Sequence, residues 1–426
     1  MKNLINLFVA VILLTGFTFT QERPDKRKDM IITPDGKLMS RIDGSIIESN
    51  YDLNTLKNKK SENDAPIGTP FSWDGGLGFY SSGSNTVYAI AVSGSDVYIG
   101  GDFTDAMGNP GSNYILRYNQ KNNTWHSLLS GLNGPVHVIA VSGNDVYVGG
   151  EFTDAGGNLD ADRIARWDGS SWNALGVGLN DVVYAIAISG SDIYVGGNFL
   201  SAGGIFGADY IARWDGSSWN FMGQLDGSVS AIVVNGSYVY VGGYFSYVNS
   251  ATAVFYFATY DGFSWGSLGT PLDSDVKAIA ISGSDLYIGG AFKNAGGNAN
   301  ADAVAYFDLS IPSSDWKALG NGIINNDALP NGIVEAIAVN GDDVYVGGPF
   351  YNGWNSNFNN IAYWNGTVWN DLSSSLSGGC FALALAGTDV LAGGYFGLSR
   401  WFGAYAEGLF AGVQNSAASG SGLVEF

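Results

Sequence analysis

Residues 136–180 read VHVIAVSGNDVYVGGEFTDAGGNLDADRIARWDGSSWNALGVGLN, and this stretch decides the fold. Four short runs in it have the length and the β-branched or aromatic content of strands: VHVIAV, DVYVGG, IARWD and SWNAL. The connections carry turn chemistry. Gly143 stands at the corner between the first two runs, where positive φ suits a tight hairpin. Asp168-Gly169 begins the corner between the last two. The Gly149-Gly150 pair ends the second run, where missing side chains let a neighbouring group approach closely.

The unit recurs. Gly-Gly pairs begin at Gly100, Gly149, Gly196, Gly242, Gly289, Gly347 and Gly393, with spacings of 49, 47, 46, 47, 58 and 46. The corner glycine recurs at Gly94, Gly190, Gly236, Gly283, Gly341 and Gly387, and the second corner at Asp215-Gly216, Asp261-Gly262 and Asn365-Gly366. Seven four-stranded units predict an all-β, seven-bladed β-propeller. The ends of the chain favour a ring over a linear stack. The seventh unit has no fourth strand, and a spare one, Phe71-Ser72-Trp73 followed by Leu77-Gly78, precedes the first. An N-terminal strand completing the last blade would remove two exposed edges together. The expected organisation is a signal peptide at 1–20, a charged linker at 21–65, the propeller at 66–403 and a Gly/Ala/Ser-rich tail at 404–426.

The Gly-Gly after strand two, the aromatic on strand three and the Trp on strand four resemble the kelch type of propeller repeat. IARWDGSSWNALG with VGGEFTDAGG is still more similar to a family of secreted bacterial surface propellers. The resemblance covers residues 66–403 and implies the fold, with binders and enzymes both among its members. Such proteins often carry a C-terminal sorting domain, for which the tail at 404–426 is expected to be too short.

Charge narrows the functions. The net charge is -20, and ten of the 19 Lys and Arg lie in the first 60 positions. From Ala65 onward nine basic side chains face 30 acidic ones, a surface that repels phosphate backbones and argues against nucleic acid. Lys2, the apolar run from Leu4 to Leu14, and Thr18 and Thr20 ahead of Gln21 read as a secretory signal, too short for a membrane span. The mature chain is therefore expected to be secreted or at the cell surface, without a transmembrane segment. Cys380 is the one cysteine, so no intramolecular disulfide supports the fold. Two histidines, His126 and His137, are too few for a histidine-rich copper site. Of the propeller arginines Arg117, Arg163, Arg166, Arg213 and Arg400, all but Arg163 occupy the repeated third strand, which argues against a sialidase-type arginine cluster.

In a four-stranded blade the loops joining strands two to three and four to one share a face, and these loops vary here. Three groups of candidates follow. Tyr88, His137, Tyr184, Ser230, Lys277, Glu335 and Phe381 hold matching places on the inner strands and should ring the channel mouth, with Lys277 and Glu335 read as a pair. Asp102 and Asp105 of blade one, with Glu151, Asp154, Asp160 and Asp162 of blade two, make oxygen-rich loops of the kind that hold calcium. The blade-six loop departs furthest from the repeat: Tyr351, Asn352, Trp354, Asn355 and Phe358 combine rings and amides suited to a sugar face, beside an insertion spanning 321–333.

The reading is a secreted, non-catalytic binding or adhesion propeller for a glycan or an extracellular protein. The alternatives are a secreted glycan-active hydrolase or lyase using carboxylates on the same face, and a structural spacer. Trp354→Ala is expected to abolish ligand binding and leave the melting curve nearly unchanged. A loss of several kcal/mol on denaturation would instead place Trp354 in the core.

Overall fold

The computed structural model describes residues 29–32, 37–42, 45–52, 77–311, 313–323, 332–351, 359–372 and 376–401. The chain divides into two compact units, residues 67–407 and residues 1–66 with 408–426. Within the segment read as a charged linker, strands Asp29–Ile32, Lys37–Ile42 and Ser45–Asp52 form an antiparallel sheet.

The larger unit is a seven-bladed, all-β propeller of antiparallel blades. Blade two shows the pattern: Val136–Ser142, Asp145–Gly150, Ile164–Trp167 and Trp172–Ala174 pair in sequence order. The hairpin joining the first two strands has a two-residue loop in every blade. Its first residue is the corner glycine, at φ between 58° and 67° from Gly94 to Gly387, so an L side chain there would be strained. The second corner is tied differently. The Asp168 carboxylate accepts hydrogen bonds from the N–H groups of Ser170 and Ser171, both serine hydroxyls and the Asn173 amide. Asp215 repeats the set in blade three. These donors, the Ser170 hydroxyl foremost at Asp168 and the Asn220 amide at Asp215, hold both carboxyls well below the usual carboxylate range.

Among the described residues, blades five and seven have three named strands. In blade five Lys317 and Tyr306 still exchange both backbone hydrogen bonds, a remnant of the outer strand. In blade seven the third strand Gly397–Trp401 has no described outer partner. Phe71 to Trp73, the expected partner, lie outside the described residues. Leu77 and Phe79 just after them pack in the apolar cluster that joins blades seven and one.

The core is seven apolar clusters, one at each junction between blades, including the junction of blade seven with blade one. The innermost strands touch in succession, and Cys380–Ala386 touches Thr86–Ser93, so the ring is closed at its centre. The first glycine of each Gly-Gly pair makes this approach feasible. A Cβ on Gly100, Gly149, Gly196, Gly242, Gly289 or Gly393 would stand 2.3–2.5 Å from the Cγ1 of the valine that opens the next blade. At Gly347 the neighbour is the Cys380 sulfur, at 2.7 Å. Cys380 thus fills a valine position; complete burial pushes its thiol up to about 12 and makes it a packing group.

The outer tryptophans add a second tie. The indole N–H donates to a backbone carbonyl of the preceding blade: Trp172 to Leu128, Trp219 to Leu175, Trp265 to Met222 and Trp369 to Leu319. Trp316 is buried without such a partner, and Asp315 beside it bonds the Thr270 N–H and hydroxyl instead.

Gly149→Ala tests the junction. The backbone there is not left-handed, so the cost comes from the collision with Val183. A loss of about 1–3 kcal/mol in urea unfolding is expected, as for overpacked cores. Partial recovery is expected in Gly149→Ala/Val183→Ala. Wild-type stability of the single variant would contradict the assignment.

Candidate functional site

The second glycine of each pair has a different neighbour. A Cβ on Gly101, Gly150, Gly197, Gly243, Gly290, Gly348 or Gly394 would lie about 2 Å from a carbonyl oxygen at or just ahead of the start of the same blade's first strand. In six blades the first strand bulges just after that carbonyl. The register slips between Val87 and Ala89, Val136 and Val138, Val183 and Ala185, Val229 and Ala231, Val276 and Ala278, and Cys380 and Ala382. The skipped residues are Tyr88, His137, Tyr184, Ser230, Lys277 and Phe381. In blade six Glu335 holds the equivalent place, its N–H bonded to the Gly347 carbonyl at 2.8 Å. A bulge re-aims the side chain it carries.

Five of these residues, Tyr88, His137, Tyr184, Ser230 and Phe381, line a cavity of about 220 Å³ on the ring axis. Its remaining wall is small and aliphatic, including Ala89, Ile90, Ala185, Ile186, Ala231 and Ile232. The inner strands pair on one side only, so their free backbone edges border it.

The rings form an arc over four consecutive blades. Tyr88 stacks on His137 at 4.9 Å, His137 meets Tyr184 edge-on at 5.4 Å, and Phe381 approaches Tyr88 at 5.8 Å. The residue after each Gly-Gly pair adds a second tier. Glu151 Oε1 lies 2.9 Å from His137 Nε2, Asn198 Nδ2 donates to the Tyr184 hydroxyl at 3.4 Å, and Tyr395 packs edge-on against Phe381 at 4.8 Å. Burial, then the charge of Asp102, raises the Tyr88 phenol; burial and then Glu151 raise that of Tyr184. Asp102 follows its Gly-Gly pair as Glu151 does, and is paired with Thr86 at the start of the first strand.

The opposite side is charged. Lys277 Nζ pairs with Asp275 at 2.8 Å, so its close partner is Asp275 and not Glu335 as the inner-strand positions suggested. The spacing of inner-strand residues could not show this, because Asp275 precedes the strand. Burial lowers the Lys277 pKa, but the hydrogen bond and charge of Asp275 outweigh it and the net shift is upward. Glu335 is raised by burial, with Lys277 opposing.

The six oxygen ligands proposed for calcium are dispersed. Asp102 and Glu151 border the mouth. Asp105 accepts from the Ser82 hydroxyl, the Asp154 carboxylate binds the Gly157 N–H, the Asp160 N–H binds the Asn158 side chain, and the Asp162 carbonyl accepts from Leu179. Among the described residues no three His, Cys, Asp or Glu side chains are grouped to hold a metal ion. In the blade-six loop, Tyr351 ends the second strand and residues 352–358, including Asn352, Trp354, Asn355 and Phe358, lie outside the described residues, as do 324–331 of the insertion.

Much of the loop face is scaffold. Asn133, Asn180, Asp226 and Asp273, from the loops that enter blades two to five, each accept from the N–H groups of the same blade's second loop. Two features were missed from sequence. Tyr395 and Asn198 belong to the second tier, legible only once the residue after Gly-Gly is compared between blades. Blade four replaces the Phe-x-x-Ala-Gly-Gly loop with YFSYVNSATAVFY and brings Tyr244 near Tyr256 and Tyr247 near Phe255, at 5.9 and 6.0 Å.

The family model of the Rax2 C-terminal beta propeller domain matches residues 77–233. No curated protein is significantly similar to the chain. Among solved structures, the extracellular domain of a hybrid two-component system from B. thetaiotaomicron is 11% identical with a TM-score of 0.52, over 77% of this chain and 39% of that one. The chain thus spans about two fifths of that domain's length. A chain of the mitotic checkpoint complex is 13% identical with a TM-score of 0.50, over 85% of this chain and 99% of that one. These likenesses show the propeller fold. Among the described residues no helix is long and apolar enough to cross a membrane.

Glu335→Gln tests the mouth electrostatics. Its folded-state pKa is raised from the ordinary 4.5, so the associated stability is present below that value and is lost as pH rises through the raised one. The variant should melt higher than wild type at pH 7 and show no such gain at pH 4. A lower melting temperature at pH 7 would mean that attraction to Lys277 outweighs burial.

Proposed function

We propose that this propeller is a secreted or cell-surface binding module, without catalytic activity, that recognises a glycan or an extracellular protein on its loop face at the channel mouth. The observation that carries the reading is the bulge in the first strand of every blade but the sixth, where Glu335 holds the matching place. The seven matching positions carry side chains of six different kinds, and five of them line one cavity. A ring kept only for packing needs no such variety, whereas rigid half-buried aromatics beside polar groups suit recognition.

The leader-like N-terminal run supports export, and the similarity of the repeats to secreted bacterial, kelch-like propellers agrees with a surface role. One fold neighbour is itself an extracellular domain, which is compatible with that role. The cavity, about 220 Å³, suits one side chain or one small group, so most of a larger ligand would rest on the surrounding loops.

A second reading rests on Glu335. A half-buried carboxyl with a raised pKa near a second acid, Asp275, has the composition of an acid–base pair for glycan cleavage. The Lys277–Asp275 contact at 2.8 Å opposes it, since Asp275 is already engaged.

A glycan and extracellular-protein array probed with the full chain tests the proposal. Saturable binding lost in Tyr88→Ala and Tyr184→Ala, without a change in melting temperature, is expected. Turnover of a polysaccharide that disappears in Glu335→Gln would favour the enzyme. No saturable ligand at all would leave a structural spacer.

A further inference from the structure

The mouth has a charge as well as a shape. Its aromatic arc, Phe381, Tyr88, His137 and Tyr184, is bordered by the carboxylates of Asp102 and Glu151. On the far side, the one lysine of the ring is already paired with Asp275. Aromatic faces attract cations through their quadrupole, and adjacent carboxylates add to that attraction. The propeller is acidic throughout, with nine basic side chains against 30 acidic ones from Ala65 onward, so its field draws cationic partners.

The lining of the site bears on the form of the cation. Apart from the rings and Ser230 the wall is aliphatic, with Ala89, Ile90, Ala185 and Ile186 among it, and the open cavity, about 220 Å³, admits a group the size of one side chain. The free edges of the inner strands add backbone carbonyls around it. A linear alkyl stem suits the rings and the aliphatic wall, with an ammonium at its end on the side where Glu151 reaches His137. An amino sugar carries its ammonium on a broad, hydroxylated ring. Asn198, Ser230 and the Tyr88 and Tyr184 hydroxyls are the neutral groups at the mouth that would meet sugar hydroxyls, which makes an amino sugar the competing probe.

Resting on the binding-module reading, we propose that the mouth receives a lysine side chain of a basic protein partner, its stem between Tyr88, His137, Tyr184 and Phe381 and its charge balanced by Asp102 and Glu151. The test uses the full chain and three soluble probes, compared by calorimetry and saturation-transfer NMR: the peptide Gly-Gly-Lys-Gly-Gly with blocked ends, its norleucine counterpart, and a glucosamine trimer. The lysine peptide should bind at least about tenfold more tightly than the norleucine peptide. It should also lose that advantage in Asp102→Asn/Glu151→Gln and bind poorly to Tyr88→Ala. Tyr88→Phe, which keeps the ring, should retain binding, and unchanged melting temperatures exclude misfolding.

Equal binding of the two peptides, tighter binding of the glucosamine trimer, or no binding of the lysine peptide each overturns the proposal. In those cases an array ligand lost in Tyr88→Ala would leave the binding-module reading standing. An array with no ligand, or with ligands indifferent to Tyr88→Ala, would overturn both.

Discussion

The contact between the first glycine of each Gly-Gly pair and the valine opening the next blade governs the rest of the structure. At 2.3–2.5 Å from the valine Cγ1, a Cβ has nowhere to go, so the glycine sets how closely two sheets approach. The apolar clusters lie at the junctions between blades, and a lone blade would leave both its faces exposed. Stability is therefore a property of neighbouring pairs. Closing the ring gives blade one the same neighbour as any other, with Gly393 against Val87. Cys380 shows that shape and apolarity are what the position requires, since it stands fully buried where the other blades have valine.

The second glycine of the pair couples this architecture to the candidate site. It accepts a carbonyl where a Cβ would collide, and in blade two that carbonyl, of Pro135, immediately precedes the bulge. In six blades the bulge skips one residue of the ladder, and strand neighbours such as Ala89, Ile139 and Ile186 pack in the junctions. The mouth residues thus vary without altering the packing beneath them. The loops around the mouth are held by repeated Asn and Asp side chains, so the frame is rigid where the side chains differ.

Asymmetry gives the mouth its chemistry. Blades seven, one, two and three supply rings, while blades five and six supply Lys277 and Glu335. Glu151 bonds the His137 ring nitrogen and the charge of Asp102 acts on the Tyr88 phenol, so acids that read in sequence as loop oxygens act on the mouth's rings in three dimensions.

Repetition made the fold legible in the sequence. The corner glycines, the Asp-Gly turns and the strand runs recur, and each states a local backbone requirement that holds wherever the chain goes next. The inner-strand positions of Tyr88, His137, Tyr184, Ser230, Lys277, Glu335 and Phe381 were legible for the same reason, by matching units. Their partners were not. Lys277 pairs with Asp275 rather than Glu335, Glu151 reaches His137 and not a metal-like cluster, and Tyr395 meets Phe381. Sequence spacing reports which residues share a strand or a turn. Contacts between strands depend on where a bulge aims a side chain and on how close the next blade stands, and only the packed ring determines those distances.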